Sequence, residues 1–209
     1  MYYSLFKNSK CCFILFKIAL KMQSPAVKKK YGKHSSWIML FTEVIHQKIH
    51  VYNVSDGTWV KTLDAQERMI SLNIDIATWR AYWIDDKKHR LVSSDLKGND
   101  KKILASGIFT YQVALDTKNR RLFYCDMSIG KPHIGFADID SGVTTIVEQG
   151  GENPSYKEIE VSPDLRLIYW KDRKQLMQRH YDGNETKIIE GYCDECFGLT
   201  IDRIWVEKT

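Results

Sequence analysis

Tyr82-Trp83-Ile84-Asp85 puts two aromatic residues, an aliphatic one and an acid in succession, and the pattern returns along the chain. Phe123-Tyr124-Cys125-Asp126 stands 41 residues later, and Tyr169-Trp170-Lys171-Asp172 a further 46. Counting back 42 from Tyr82 reaches Leu40-Phe41-Thr42-Glu43, and counting forward 35 from Tyr169 reaches Ile204-Trp205-Val206-Glu207. A recurring period of this size sets the architecture before any single element is assigned.

Other features keep the same phase. Seven residues ahead of three motifs come Asp75, Asp116 and Ser162, each closing an apolar stretch such as Leu72-Asn73-Ile74-Asp75. Between 13 and 18 residues after each second aromatic comes a turn glycine: Asp56-Gly57, Lys97-Gly98, Ser141-Gly142 and Asp182-Gly183. Glycine adopts φ > 0 at little cost, so these dipeptides mark hairpins between alternating apolar runs. Each unit reads as four short strands, in the second unit 70–76, 80–85, 90–96 and 101–104. Nothing in 36–209 holds a 3.6-residue apolar period. Such a unit cannot bury both of its faces alone, so units of this kind stack radially as propeller blades.

The aromatic-aromatic-x-acid motif, with its apolar strand and Asp-Gly turn, resembles the Tyr-Trp-Thr-Asp class B repeats of the low-density lipoprotein receptor family. The resemblance runs from about Ser36 to the C-terminus and is densest over 70–191. Cys125 and Lys171 depart from the family pattern, and the first and last motifs are degenerate. In that family six repeats close one ring. Here there are four repeats and the start of a fifth, in which Asp202 precedes Ile204 by two residues where the others allow seven. The expected fold is therefore all-β: a partial six-bladed-type β-propeller over 36–209, four blades plus a truncated fifth. The motif residues Phe41, Glu43, Tyr82, Trp83, Asp85, Phe123, Tyr124, Asp126, Tyr169, Trp170, Asp172 and Trp205 are expected to be structural. The aromatics would fill the space between blades, and the acids would accept backbone N–H groups from the neighbouring blade.

Charge is unevenly placed. Of 31 Lys and Arg, eight lie in residues 1–35, which hold no acid, leaving 23 against 26 Asp and Glu beyond them. A nucleic-acid binder carries its basic excess on the folded surface; here it sits in the leader, which argues against nucleic acid. The leader itself, with Lys7 and Lys10 ahead of Cys11-Cys12-Phe13-Ile14-Leu15-Phe16, is read as a degenerate secretory signal or anchor, or else as an unstructured start. It is too short and too charged to span a membrane, so any membrane attachment is expected through segments absent from this sequence.

Chemistry-bearing residues are sparse. Cys193-Asp194-Glu195-Cys196 is read first as a local disulfide, second as free thiols and a distant third as a metal pair, because zinc wants four ligands and no second pair exists. Cys125 is read as an inert buried residue, and the six His as scattered surface groups. Asn53-Val54-Ser55 and Asn184-Glu185-Thr186 are N-glycosylation sequons at hairpin turns, whereas proline excludes Asn153-Pro154-Ser155. There is no Gly-x-Ser-x-Gly elbow, no phosphate loop, no His-Glu-x-x-His and no dinucleotide fingerprint.

The expected function is an extracellular, receptor-type module for protein-ligand binding and scaffolding, without catalysis, metal or cofactor. The resemblance implies protein ligands and adjacent epidermal-growth-factor-like modules as partners, in an endocytic lipoprotein or yolk receptor or a Wnt co-receptor setting. The competing readings are a calcium-dependent six-bladed propeller hydrolase or lactonase, and an intracellular propeller scaffold.

Overall fold

The computed structural model describes strand segments at 13–14, 20–21 and 37–43, residues 47–190 apart from 54–56, 65–67, 76 and 152–153, and Leu199. Its strands form four antiparallel sheets in chain order. The first holds β1 (Phe13–Ile14), β2 (Leu20–Lys21), β3 (Trp37–Glu43), β4 (Lys48–Asn53) and β5 (Thr58–Asp64). The second holds β6 (Met69–Asp75), β7 (Arg80–Asp85), β8 (Arg90–Asp95) and β9 (Lys102–Ser106). The third holds β10 (Val113–Asp116), β11 (Arg121–Asp126), β12 (His133–Asp138) and β13 (Thr144–Gln149). The fourth holds β14 (Tyr156–Ser162), β15 (Leu167–Asp172), β16 (Gln175–His180) and β17 (Thr186–Glu190). Each of the last three is a simple meander. In the first sheet β1 and β2, from within the 1–35 span, pair with opposite ends of β3, the position that β6, β10 and β14 take in the other sheets.

The sheets stack in sequence: β3 lies against β6, β6 against β10, and β10 against β14. Burial explains the register. β7 and β11 are buried on both faces except at their first residue, whereas β13, at the outer edge, is exposed or half-buried throughout. Because side chains alternate along a strand, the two motif aromatics serve different cores. Trp83 joins Ile49, Leu72 and Val92 between the first and second sheets. Tyr82 packs forward with Leu122 and Tyr124 between the second and third. Phe123 packs forward with Ile159, Ile168 and Trp170 between the third and fourth. Tyr82 and Phe123, first aromatics, therefore face the next sheet, and Trp83, Tyr124 and Trp170, second aromatics, face the previous one. Burying a side chain of this size stabilises by roughly 1.5–3 kcal/mol, so the motif forms the seams.

Three of the four turn glycines have the expected left-handed backbone: Gly57, Gly98 and Gly142 at φ 74°, 84° and 75°. Gly183 does not; its turn closes through a Gly183 N–H bond to the His180 carbonyl. Left-handed residues also stand where no glycine announces them. Trp79, Arg120 and Arg166, at φ 55°, 57° and 55°, end the first turn of successive sheets. Each gives its carbonyl to the residue that follows the third strand: Leu96, Ile139 and Tyr181 respectively. That bond offsets the cost of a non-glycine residue in this region.

Candidate functional site

The motif acids hold the loops that enter their own sheets. Asp126, buried, accepts from the Phe109 N–H at 3.0 Å, the Ser128 N–H at 2.9 Å and the Ser128 hydroxyl at 2.7 Å. Asp172 accepts from the Ser155 N–H at 2.8 Å. Phe109 and Ser155 lie on the connections arriving from the preceding sheet, so the N–H donors belong to the entering loop. Asp85 accepts from the Arg90 guanidinium at 2.7 Å and the Lys88 N–H at 3.3 Å. Of the remaining motif residues, Tyr82, Trp83, Phe123, Tyr124 and Trp170 are buried and Tyr169 is half-buried. Phe41 and Glu43 lie on β3, their side chains outside the described residues, and Trp205 lies outside them altogether.

At the turn end of the sheets, arginines that the sequence reading passed over tie sheet to sheet. Arg120 reaches Asp140 of its own sheet at 3.0 and 2.7 Å and the buried Asp75 of the preceding sheet at 2.8 Å. Arg166 repeats this with Asp182 at 3.1 and 2.5 Å and Asn119 of the preceding sheet at 3.2 Å. Asn119 is itself held by buried Asp116. Hydrogen bonds from these arginines hold the Asp140 and Asp182 carboxyls below the usual carboxylate range. Both arginines stand three residues ahead of their motifs, a position the repeat makes readable.

A second clamp runs along the inner strands. The Val113 N–H donates to the Ser71 hydroxyl at 2.9 Å, the Gln112 side-chain amide donates to the Ile159 carbonyl at 3.1 Å, and the Leu199 N–H donates to the Glu158 carboxylate at 2.7 Å. Ser71, Gln112 and Glu158 each sit four residues before the closing Asp75, Asp116 or Ser162. Their partners sit three residues before Asp116, Ser162 and Asp202.

The opposite, loop end offers the surface best suited to a ligand. The Ile108 N–H bonds to the His89 carbonyl, Met127 to Phe109, Gly150 to Pro132 and Arg173 to Ser155, which brings loops from three sheets side by side. His89, Phe109 and Tyr111 stack edge to face at 5.3 and 5.5 Å, with Tyr111 54 % exposed. Beyond Met127 this row leads into a cleft of about 650 Å³ lined by Met127, Ile129, Pro132, Gln149, Gly150 and Pro154, with Ile129 fully exposed at its lip. A side chain at Gly150 would meet the Pro132 carbonyl and the Tyr156 hydroxyl, both at 2.7 Å, so glycine lets the two loops close. Among the described residues these loops carry Arg68, Lys87, Lys88, Lys131, Arg173 and Lys174 against Asp86, which pairs with Arg68 at 3.2 Å. The turn-end connections hold Asp100, Asp140, Asp164, Asp182 and Glu185 against Lys97, Lys101, Lys118, Arg120 and Arg166, so their charges balance. The loop end is thus the more basic of the two.

Cys125 is buried and burial pushes its thiol well up, which leaves it unreactive. His133 lies 3.8 Å from Asp126 at the start of β12. Asn184 is exposed at the turn end; Asn53 closes β4 in the corresponding hairpin, its side chain outside the described residues, as are Cys193 and Cys196.

No family model matches this sequence, and no curated protein matches it. Solved structures do. A chain of the nidogen/laminin complex superposes with a TM-score of 0.66 at 15% identity, over 75% of this chain and 62% of that one. A putative TolB from Agrobacterium tumefaciens gives 0.61 at 16% identity, over 74% and 58%. Hydrazine synthase of Kuenenia stuttgartiensis gives 0.56 at 11%, over 72% and 49%. The chain spans less than two thirds of each of these structures. The fold is that of a β-propeller, represented here by part of the ring.

Proposed function

We propose that this chain is a non-catalytic, protein-binding propeller module of the receptor type, resembling class B repeats of the low-density lipoprotein receptor family. Its loop end would engage an acidic segment with apolar side chains. One observation carries the reading. Exposed Tyr111, stacked on half-buried Phe109, and the cleft with Ile129 at its lip lie at the same end of the sheets, together with lysines and arginines of the neighbouring loops. Interface cores favour aromatic and aliphatic anchors, and a charged rim speeds and orients encounter with a partner of opposite sign. Likeness to a chain from a protein–protein complex supports the same reading. An extracellular or cell-surface setting is part of it, supported by the exposed sequon at Asn184 on the end away from the ligand surface.

The test is binding of an acidic, aromatic-containing peptide library to the purified chain, followed by titration of the strongest peptide in increasing salt. Tyr111→Ala with Ile129→Ser should weaken binding at least about tenfold, and Lys87→Glu with Lys131→Glu should flatten the salt dependence. Peptides that bind equally well to both double variants would place the ligand elsewhere. Tight calcium binding together with turnover of an ester or lactone would replace this reading with a hydrolase.

A further inference from the structure

The outer strands of the last three sheets occupy equivalent places but differ in charge. Val92, Gly135 and Met177 each pair on one side with the second aromatic of a motif, and on the other with Ile103, Ile146 and Ile188. The three residues ending on each isoleucine are Lys101-Lys102-Ile103, Thr144-Thr145-Ile146 and Thr186-Lys187-Ile188, and their middle members are all exposed. Among the described residues no strand pairs with the outer edge of β9, β13 or β17. Open edges recruit further strands unless something repels them, and lysine is a common guard. β9 and β17 have that guard; β13 does not. Its one charged residue, Glu148, turns to the fourth sheet, where Arg179 and the Thr186 hydroxyl, the latter at 2.9 Å, donate to it.

The main chain of β13 is set for pairing where the guard is missing. The Asp138 N–H donates to the Val143 carbonyl at 2.9 Å, and the Thr145 carbonyl is directed at β12, where it would lie 2.8 Å from a Cβ on Gly135. Backbone groups alternate in direction along an antiparallel strand, so Val143 and Thr145 serve β12 while Thr144 and Ile146 direct N–H and C=O outward. We propose that β13 is a self-pairing edge: it takes β13 of a second copy of this chain, antiparallel, about a two-fold axis through Thr145. In that register Thr144 and the second copy's Ile146 exchange both backbone bonds, Ile146 and the second copy's Thr144 do the same, and Thr145 stands opposite itself. Thr–Thr pairs across strands are favourable, whereas like charges directly opposite repel. The same two-fold on β9 or β17 would set Lys102 or Lys187 against its own copy. Their exposed pairs with Asp100 and Glu185, both at 3.9 Å, are too loose to cancel that charge. The bulge opposite Ile134 and Gly135 bends β13 beyond Ile146 and confines the pairing to these three residues. This contact lies on the outer edge of the sheets and stands whether or not the loop end binds a ligand.

A contact of this size makes a weak dimer, so sedimentation velocity on the intact chain tests it at about 10 µM and about 300 µM. The mass should rise from that of the monomer toward twice that value. Thr145→Lys, which restores the guard found on β9 and β17 at an exposed position, should stay monomeric at both concentrations with an unchanged thermal midpoint. A second readout does not depend on that variant. Residues facing each other across a non-hydrogen-bonded pair stand roughly 4.5 Å apart at Cα, within disulfide reach. Under mild oxidation Thr145→Cys should therefore link two copies through the introduced thiols, identified by mass spectrometry of the joined peptides. Lys187→Cys, at the equivalent place on β17, should not. A chain that remains monomeric at the higher concentration, a Thr145→Lys chain that still dimerises, or Lys187→Cys linking as readily as Thr145→Cys would each overturn the proposal.

Discussion

Asp126 shows what one acid of the repeat does. It is buried, and three donors from two loops converge on one of its oxygens. Replacing it with Ala leaves the Phe109 and Ser128 N–H groups without that acceptor; buried donors stripped of a charged partner cost about 1–3 kcal/mol. Urea unfolding of Asp126→Ala should show a loss of that size with the m-value unchanged. Gly135 makes the contrasting case. A Cβ there would sit 2.8 Å from the Thr145 carbonyl and 3.0 Å from the Tyr124 hydroxyl. Gly135→Ala should cost about 1–3 kcal/mol by overpacking, measured as a lowered thermal midpoint. The acid was legible in the sequence because its kind recurs at a fixed place. The glycine was not, since its necessity comes from Tyr124 and Thr145 on the strands to either side.

Between elements, the two arginine clamps look alike but rest on different partners. Arg120 joins exposed Asp140 to Asp75, whose carboxylate is buried and, among the described residues, otherwise bonded at its own turn by Ala77 and Thr78. Arg166 joins exposed Asp182 to the half-buried, uncharged Asn119. Removing a partner from a buried charge costs far more than breaking a surface pair. Arg120→Met should therefore destabilise more than Arg166→Met, and denaturant melts of the two side by side decide it. Acid should weaken these clamps too. Hydrogen bonds from Arg120 and Arg166 depress Asp140 and Asp182, and the Ser141 N–H and hydroxyl depress Asp138. Their stabilisation is present above the unfolded carboxylate value and disappears as pH falls through the lowered folded values. Melts between about pH 6 and about pH 3 should show that loss, and Arg120→Met should lessen its slope. The arginines' phase was visible in the sequence. Their role was not, because no local pattern says that a side chain at the end of one turn crosses to an acid 45 residues earlier.

Over the whole molecule, the propeller keeps a basic, apolar loop end apart from a turn end whose charges balance and which carries the exposed sequon asparagine. Expression through a secretory pathway should add a glycan at Asn184, seen as a mobility shift that an N-glycosidase or Asn184→Gln removes, and peptide binding at the loop end should be the same with and without it. Separation of this kind follows from strand direction, since alternate connections emerge at opposite ends of every sheet.

The sequence by itself determined the all-β class, the repeat, the four-strand unit and the hairpin glycines at 57, 98 and 142. It could do so because strand alternation, turn conformation and motif period depend on residues a few places apart. Only the tertiary structure decided that Tyr82 and Phe123 face the next sheet and Trp83, Tyr124 and Trp170 the previous one. It alone stacked His89, Phe109 and Tyr111 at the loop end, and set the Leu199 N–H on Glu158, at the place where the earlier sheets carry Ser71 and Gln112. Those relations hold between residues tens of positions apart, and their partners are chosen by how the sheets stack.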